Sequence, residues 1–157
     1  MRRRRPLFTV VVLVAFLIGG SIWWLFFRNE YSSAECAPVR ELLSYNKAEV
    51  DALNAKTHVP EEGSYEAARE PSDIDYRAWS DGMSDRADKV TADGLAGQAR
   101  ELAQTIDRLV GAKIDFNAQT RATAPGSNGP QALAMVVTAF NDEFETRVGQ
   151  LSQACPA

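Results

Sequence analysis

The feature that most constrains this 157-residue chain is an uncharged run from Leu7 to Phe27, set directly behind Arg2, Arg3, Arg4, Arg5 and Pro6. As a helix the run rises roughly 31 Å, close to the ~30 Å hydrocarbon core of a bilayer. Trp23, Trp24, Phe26 and Phe27 gather at its far end, where aromatic rings favour the boundary between lipid and water. Four arginines precede it and only Arg28 follows closely, a bias that holds the N-terminus in the cytoplasm. The expectation is a signal anchor: a cytoplasmic basic tail over 1–6, a transmembrane helix over 7–27, a juxtamembrane linker over 28–35 and an extracytoplasmic domain over 36–157.

The alternative is a cleaved signal peptide and a secreted product. Two small-x-small sites exist, Gly19-Gly20-Ser21 and Ser32-Ser33-Ala34. The first would cut inside the apolar run. The second follows a run longer than the ~7–15-residue apolar core of a typical signal peptide. Glu35, where a lipobox needs a small residue, argues against lipidation of Cys36, and Arg4-Arg5 fits a positive-inside cluster better than a twin-arginine signal.

Charge is divided along the same line. Of 17 Lys and Arg, five lie in the first 28 residues, which hold no acid; the remainder carries 12 basic against 21 acidic groups, a balance of −9. Such a surface repels phosphate, so no nucleic-acid partner is expected. One His and two Cys cannot supply a four-ligand zinc site, and no cofactor is implied.

Beyond Glu35 the apolar residues recur at helical spacing with almost no strand-like alternation. A first helix over about Cys36 to Thr57 has the stripe Val39, Leu43, Asn46, Val50 and Leu53, with Pro38 in its first turn. His58 to Pro71 reads as a loop, with room for one helical turn at Glu66 to Arg69. Ser72 opens a second helix with Asp75 as its capping-box partner, and its stripe is Tyr76, Trp79, Met83, Ala87 and Val90. A third stripe, Leu95, Ala99, Leu102, Ile106, Leu109 and Phe116, is out of phase with the second by roughly 140°. A turn or sharp kink is therefore expected near Asp93 to Gly97. Thr123 to Pro130 is loop chemistry, and Pro130 opens a last helix with Leu133, Val137, Phe140, Phe144, Val148 and Leu151 on one face. The expected fold class is all-α: an antiparallel up-down bundle of four helices, or of three with one long kinked member.

The two cysteines sit at the start of the first helix and the end of the last, and in a four-helix up-down bundle those ends meet. Outside the cytoplasm Cys36 and Cys155 are expected to form a disulfide. Closing a loop of about 120 residues stabilises the fold by roughly 5 kcal/mol in the chain-entropy model.

No catalytic constellation emerges. Ser44-Tyr45-Asn46-Lys47 matches the Ser-x-x-Lys pair of penicillin-binding proteins, but the companion Ser-Asp-Asn and Lys-Thr-Gly elements are missing. His58 sits before Val59-Pro60 in a loop where Glu61 and Glu62 could touch it, but no catalytic constellation forms around them. The acidic groups Glu61, Glu62, Glu66 and Glu70, Asp73 and Asp75, and Asp142, Glu143 and Glu145 lack the spacing of a calcium loop and read as solubilising faces, so no metal is expected. Tyr31-x-x-x-Glu35 and Tyr45-x-x-x-Glu49 fit a secretion pattern that four tyrosines and many acids produce by chance. Trp79 and Met83 share a helical face, and Phe140 and Phe144 another. These four are the candidate ligand or partner contacts, with core packing as the plainer assignment. Asn46 either fixes helix register or lies at the edge of its stripe.

The basic start, the Leu7–Phe27 run, the Ala-rich segments Tyr76-Arg77-Ala78-Trp79-Ser80-Asp81-Gly82 and Leu95-Ala96-Gly97-Gln98-Ala99-Arg100-Glu101-Leu102-Ala103, and the terminal Cys155-Pro156 together carry a likeness. The layout resembles small single-pass envelope membrane proteins of unknown function from mycobacteria and related actinobacteria. That resemblance implies a membrane location and assigns no catalytic residues. Mce-associated membrane proteins also follow a span with helix, but they end in a β-rich domain that this pattern lacks. The expected function is that of a non-enzymatic protein-interaction or scaffold module with an envelope protein partner. The alternative is a binding module for an apolar or lipid-like envelope ligand in the bundle core.

Overall fold

Ser32 and Glu35 fix where the helical domain begins. The Ser32 hydroxyl accepts from the Glu35 N–H at 3.2 Å, and the Glu35 carboxylate accepts from the Ser32 N–H at 2.7 Å. This reciprocal box satisfies two N–H groups that a helix start leaves bare. The hydroxyl and then the N–H of Ser32 favour the ionised carboxyl of Glu35, and its pKa is lowered. The structure, a computed structural model, describes residues 31–61, 68–124 and 128–157. The basic tail and the Leu7–Phe27 run lie outside the described residues, and so does part of the turn expected at Glu66 to Arg69. Among the described residues no helix is long and apolar enough to cross a membrane.

Those residues contain four helices: α1 Ser33–Lys56, α2 Asp73–Ala87, α3 Leu95–Ala122 and α4 Gln131–Ala154. α1 starts three residues before the apolar stripe suggests, because the cap sets the start and the stripe does not. Pro38 consequently lies beyond the first turn, where its missing N–H withdraws the bond that the Ala34 carbonyl would accept. The Ser72–Asp75 box opens α2 as expected, with the Ser72 N–H donating to Asp75 at 2.9 Å. Between α2 and α3 the chain turns; it does not kink. Gly94 caps α3 with φ at +81°, and a Cβ there would stand 2.6 Å from the Tyr31 hydroxyl, so both conformation and space call for glycine. The three-helix alternative is thereby excluded, and Gly97 falls inside the first turn of α3.

Cross-helix bonds establish the up-down order. Asn46 meets Trp79 and Lys56 meets Asp75, so α1 and α2 run oppositely. Ser80 meets Asp107 and Asp73 meets Arg121, which opposes α2 and α3. Thr105 meets Glu143 and Glu101 meets Arg147, which opposes α3 and α4. The ring closes through the expected disulfide, Cys36–Cys155, with Cα atoms 5.3 Å apart.

The core is densest toward that bond. Val39, Leu42, Met83, Leu102 and Leu151 are completely buried there. Toward the other end Leu53 and Leu109 keep 8% of their surface, and Val137, Phe140 and Phe144 are only partly buried. α1 also differs from its predicted stripe. Leu42, not Leu43, points into the core, while Leu43 and Val50 sit half-buried on the flank that faces α4.

Candidate functional site

α4 packs closely along α3 but touches α1 little, and the space left between α1 and α4 forms a concavity. It has two hollows. One, of about 750 Å³, runs beside the disulfide between the Leu43–Val50 flank of α1 and Phe144 and Val148 of α4, with Arg40, Lys47 and Asp51 on its rim. The other, of about 250 Å³, opens toward the far end among all four helices and is walled by Leu53, Trp79, Leu109, Val137 and Phe144. Val50 and Phe144 belong to both walls, so the hollows adjoin.

Trp79 organises the floor. Its indole N–H donates to the Asn46 side-chain oxygen at 3.1 Å, and the ring meets Phe144 edge-on, with centroids 5.7 Å apart and planes at 87°. The polar notch in the α1 stripe is therefore filled by the one polar atom of the indole. Of the four candidate contacts, Trp79 and Phe144 come together in the cleft wall. Met83, one turn along α2, is completely buried in the core and lines neither hollow. Phe140 packs half-buried against the core and lines neither. Their stripes placed Met83 and Phe140 on the correct helix faces, but the cleft follows the α1/α4 gap and bypasses them.

The polar wall residues differ between the ends. Arg40 donates to the Ser33 carbonyl at 2.8 Å, the Ser33 hydroxyl at 3.1 Å and the Pro156 carbonyl at 3.4 Å. Lys47 pairs with Asp51 at 2.7 Å. Lys113, which no sequence pattern singled out, lines the far hollow and reaches Glu70 at 3.4 Å. Tyr76 lines that hollow too, and burial, followed by Glu70, Asp73 and Asp75, pushes its pKa up.

The remaining sequence candidates are scattered. Ser44 and Lys47 stand on the rim of the larger hollow, and the ammonium of Lys47 is directed to Asp51. His58 pairs through its backbone with Arg69 at 2.8 and 3.0 Å, stapling the described ends of the α1–α2 loop. Among the described residues no cluster of His, Cys, Asp and Glu is arranged to hold a metal ion. Glu143 joins Arg147 and Thr105 in a bridge to α3, and the Arg147 bond lowers its pKa. No family model matches the chain, nor does any curated protein or solved structure.

Proposed function

We propose that this chain is a single-pass membrane-anchored protein of the cell envelope whose extracytoplasmic domain works by binding, without catalysis, and that the α1/α4 cleft takes an apolar, lipid-like ligand. The observation that carries this reading is the cleft. Flanks that would meet in a closed bundle instead leave Leu43, Val50, Phe144 and Val148 facing open space. Its larger hollow falls within the ~300–1,000 Å³ usual for ligand sites, which are mostly apolar with a few placed polar groups. The anchor rests on the Leu7–Phe27 run and its flanking arginines. The Cys36–Cys155 bond supports placement on the oxidising side of the membrane.

Native mass spectrometry of the full chain, extracted from its own membrane, tests the reading. One lipid-mass adduct per chain is expected, and it is lost in Val148→Arg, where a charge stands in the cleft wall. An adduct-free wild-type chain overturns it.

A second reading keeps the scaffold role, with an apolar helix of another envelope protein as partner. It rests on Ile74 and Met135, large apolar side chains 78% and 69% exposed. Cross-linking from Met135→Cys in membranes then yields one defined heteromeric product while the cleft stays empty.

A further inference from the structure

The identity and direction of the cleft ligand can be taken further, on the basis of the binding reading above. The two adjoining hollows together run beside α1 from Arg40 to its cap at Thr57. At about 1.5 Å per residue that is roughly 25 Å, whereas one lipid tail fills about half of a ~30 Å hydrocarbon core. Together the two hollows are thus long enough for a single extended hydrocarbon chain, with length left for a head group.

The two ends are not equivalent toward that head group. Beside the disulfide, the Ser33 carbonyl and hydroxyl and the Pro156 carbonyl take three of the five N–H donors of Arg40 and hold its guanidinium in exposed bonds, and Lys47, 78% exposed, is paired with Asp51. Among the described residues Lys113 is the only cationic residue of the far hollow's wall, and no carboxylate lines it, although Glu70, Asp73 and Asp75 act on Tyr76 of the same wall. Its side chain is 26% exposed, and its ammonium stands 5.6 Å from the Phe116 ring centroid. The Glu70 carboxylate approaches only to 3.4 Å, longer than the ~2.7–2.9 Å of a strong charge-assisted bond. An ammonium has three protons to donate, so capacity remains for a second acceptor. The neighbouring polar wall groups Asn54, Thr57 and Asn141 are neutral. A loosely countered cation above an apolar floor complements an anion carried on one hydrocarbon chain.

We propose that the cleft binds a free long-chain fatty acid, its carboxylate on the Lys113 ammonium and its tail running past Trp79, Phe144 and Val50 toward the disulfide. The chain contains three Trp, so a full-length variant with Trp23→Phe and Trp24→Phe leaves Trp79 as the sole indole. Reconstituted in phosphatidylcholine nanodiscs, it is titrated with brominated stearic acid and, in parallel, with the equally brominated stearyl alcohol. Bromine passing the floor quenches Trp79. The acid is expected to quench at concentrations about tenfold or more below the alcohol, the scale of one hydrogen bond to a charged group. Lys113→Gln should erase that preference and Lys113→Arg should keep it, with circular dichroism confirming the fold of each. Equal quenching by acid and alcohol, or a preference that survives Lys113→Gln, overturns the fatty-acid assignment and leaves the apolar-cleft reading standing. Quenching by neither overturns both.

Discussion

The Trp79 indole N–H donates to the Asn46 side-chain oxygen at 3.1 Å, and this buried bond ties α2 to α1 midway along the bundle. It also forms the floor of the cleft, since Trp79 continues edge-on to Phe144 of α4. Removing one partner leaves the other desolvated and unpaired. Asn46→Ala is expected to destabilise the domain by about 1–3 kcal/mol in urea unfolding. Combining Asn46→Leu with Trp79→Phe removes both polar groups and should cost less than the two single changes together. Strict additivity would contradict a direct coupling.

Cys36 and Cys155 are 119 positions apart, so their bond removes a large loop-closure entropy from the unfolded chain. Replacing both with Ser, or adding reductant, is expected to cost roughly 5 kcal/mol on the chain-entropy scale. The check is the urea midpoint with and without reductant. An unchanged midpoint would show that the bond contributes nothing to the fold.

Asp75 gives the domain an acid limit. The Lys56 ammonium at 2.6 Å, then the Ser72 hydroxyl at 2.7 Å and N–H at 2.9 Å, hold its pKa at about 2, against an ordinary 3.8. A pKa lowered by folding means that the ionised form favours the folded state. That stabilisation is complete above the unfolded value of ~3.9 and disappears as pH falls through about 2. Glu35 and Glu143 shift in the same direction. Thermal midpoints should therefore hold steady down to about pH 5 and drop toward pH 2, and Asp75→Asn should flatten part of the drop. A wild-type profile that is level across this window contradicts the assignment.

Two glycines in helices should respond oppositely to one methyl group. A Cβ on Gly82 would overlap the Tyr45 hydroxyl, whose ring is stacked under Arg86 at 3.6 Å and whose O–H donates to the Ala78 carbonyl. Gly82→Ala is expected to cost about 1–3 kcal/mol from overpacking, partly offset by better helix propensity. Gly111, in α3, has nothing within 4 Å of its missing Cβ, and Gly111→Ala should stabilise by about 0.5–1 kcal/mol. Chemical denaturation of both variants gives the sign directly.

Much of the architecture was legible because it depends on local chemistry. The Ser72–Asp75 cap, the phase break between Val90 and Leu95, and the spacing that brings Cys36 to Cys155 each register in a few residues, and each has its counterpart in the fold. Ser32-x-x-Glu35 carries a start signal of the same kind and opens α1 at Ser33, three residues ahead of Cys36, where the apolar period begins. The cleft was not legible. Apolar periodicity tells which side of a helix turns inward, not how far away its neighbour stands. Thus Leu43 and Val50 read as core although they face the α1/α4 gap, and Leu133 to Val148 read as buried although only Leu151 of α4 is fully enclosed. Met83 and Phe140 share stripes with Trp79 and Phe144, and the stripe alone does not separate core from cleft wall. Lys113 carried no signal at all, because its significance lies in what stands around it after folding.

The Cys36–Cys155 bond, with its Cα atoms 5.3 Å apart, also has a mechanical consequence. A pull between any segment joined ahead of Cys36 and any joined behind Cys155 passes across one covalent bridge and bypasses the four helices. Tension that would unzip an open bundle one helix at a time leaves this one intact, and only a thiol that cuts the bridge puts the helices under load.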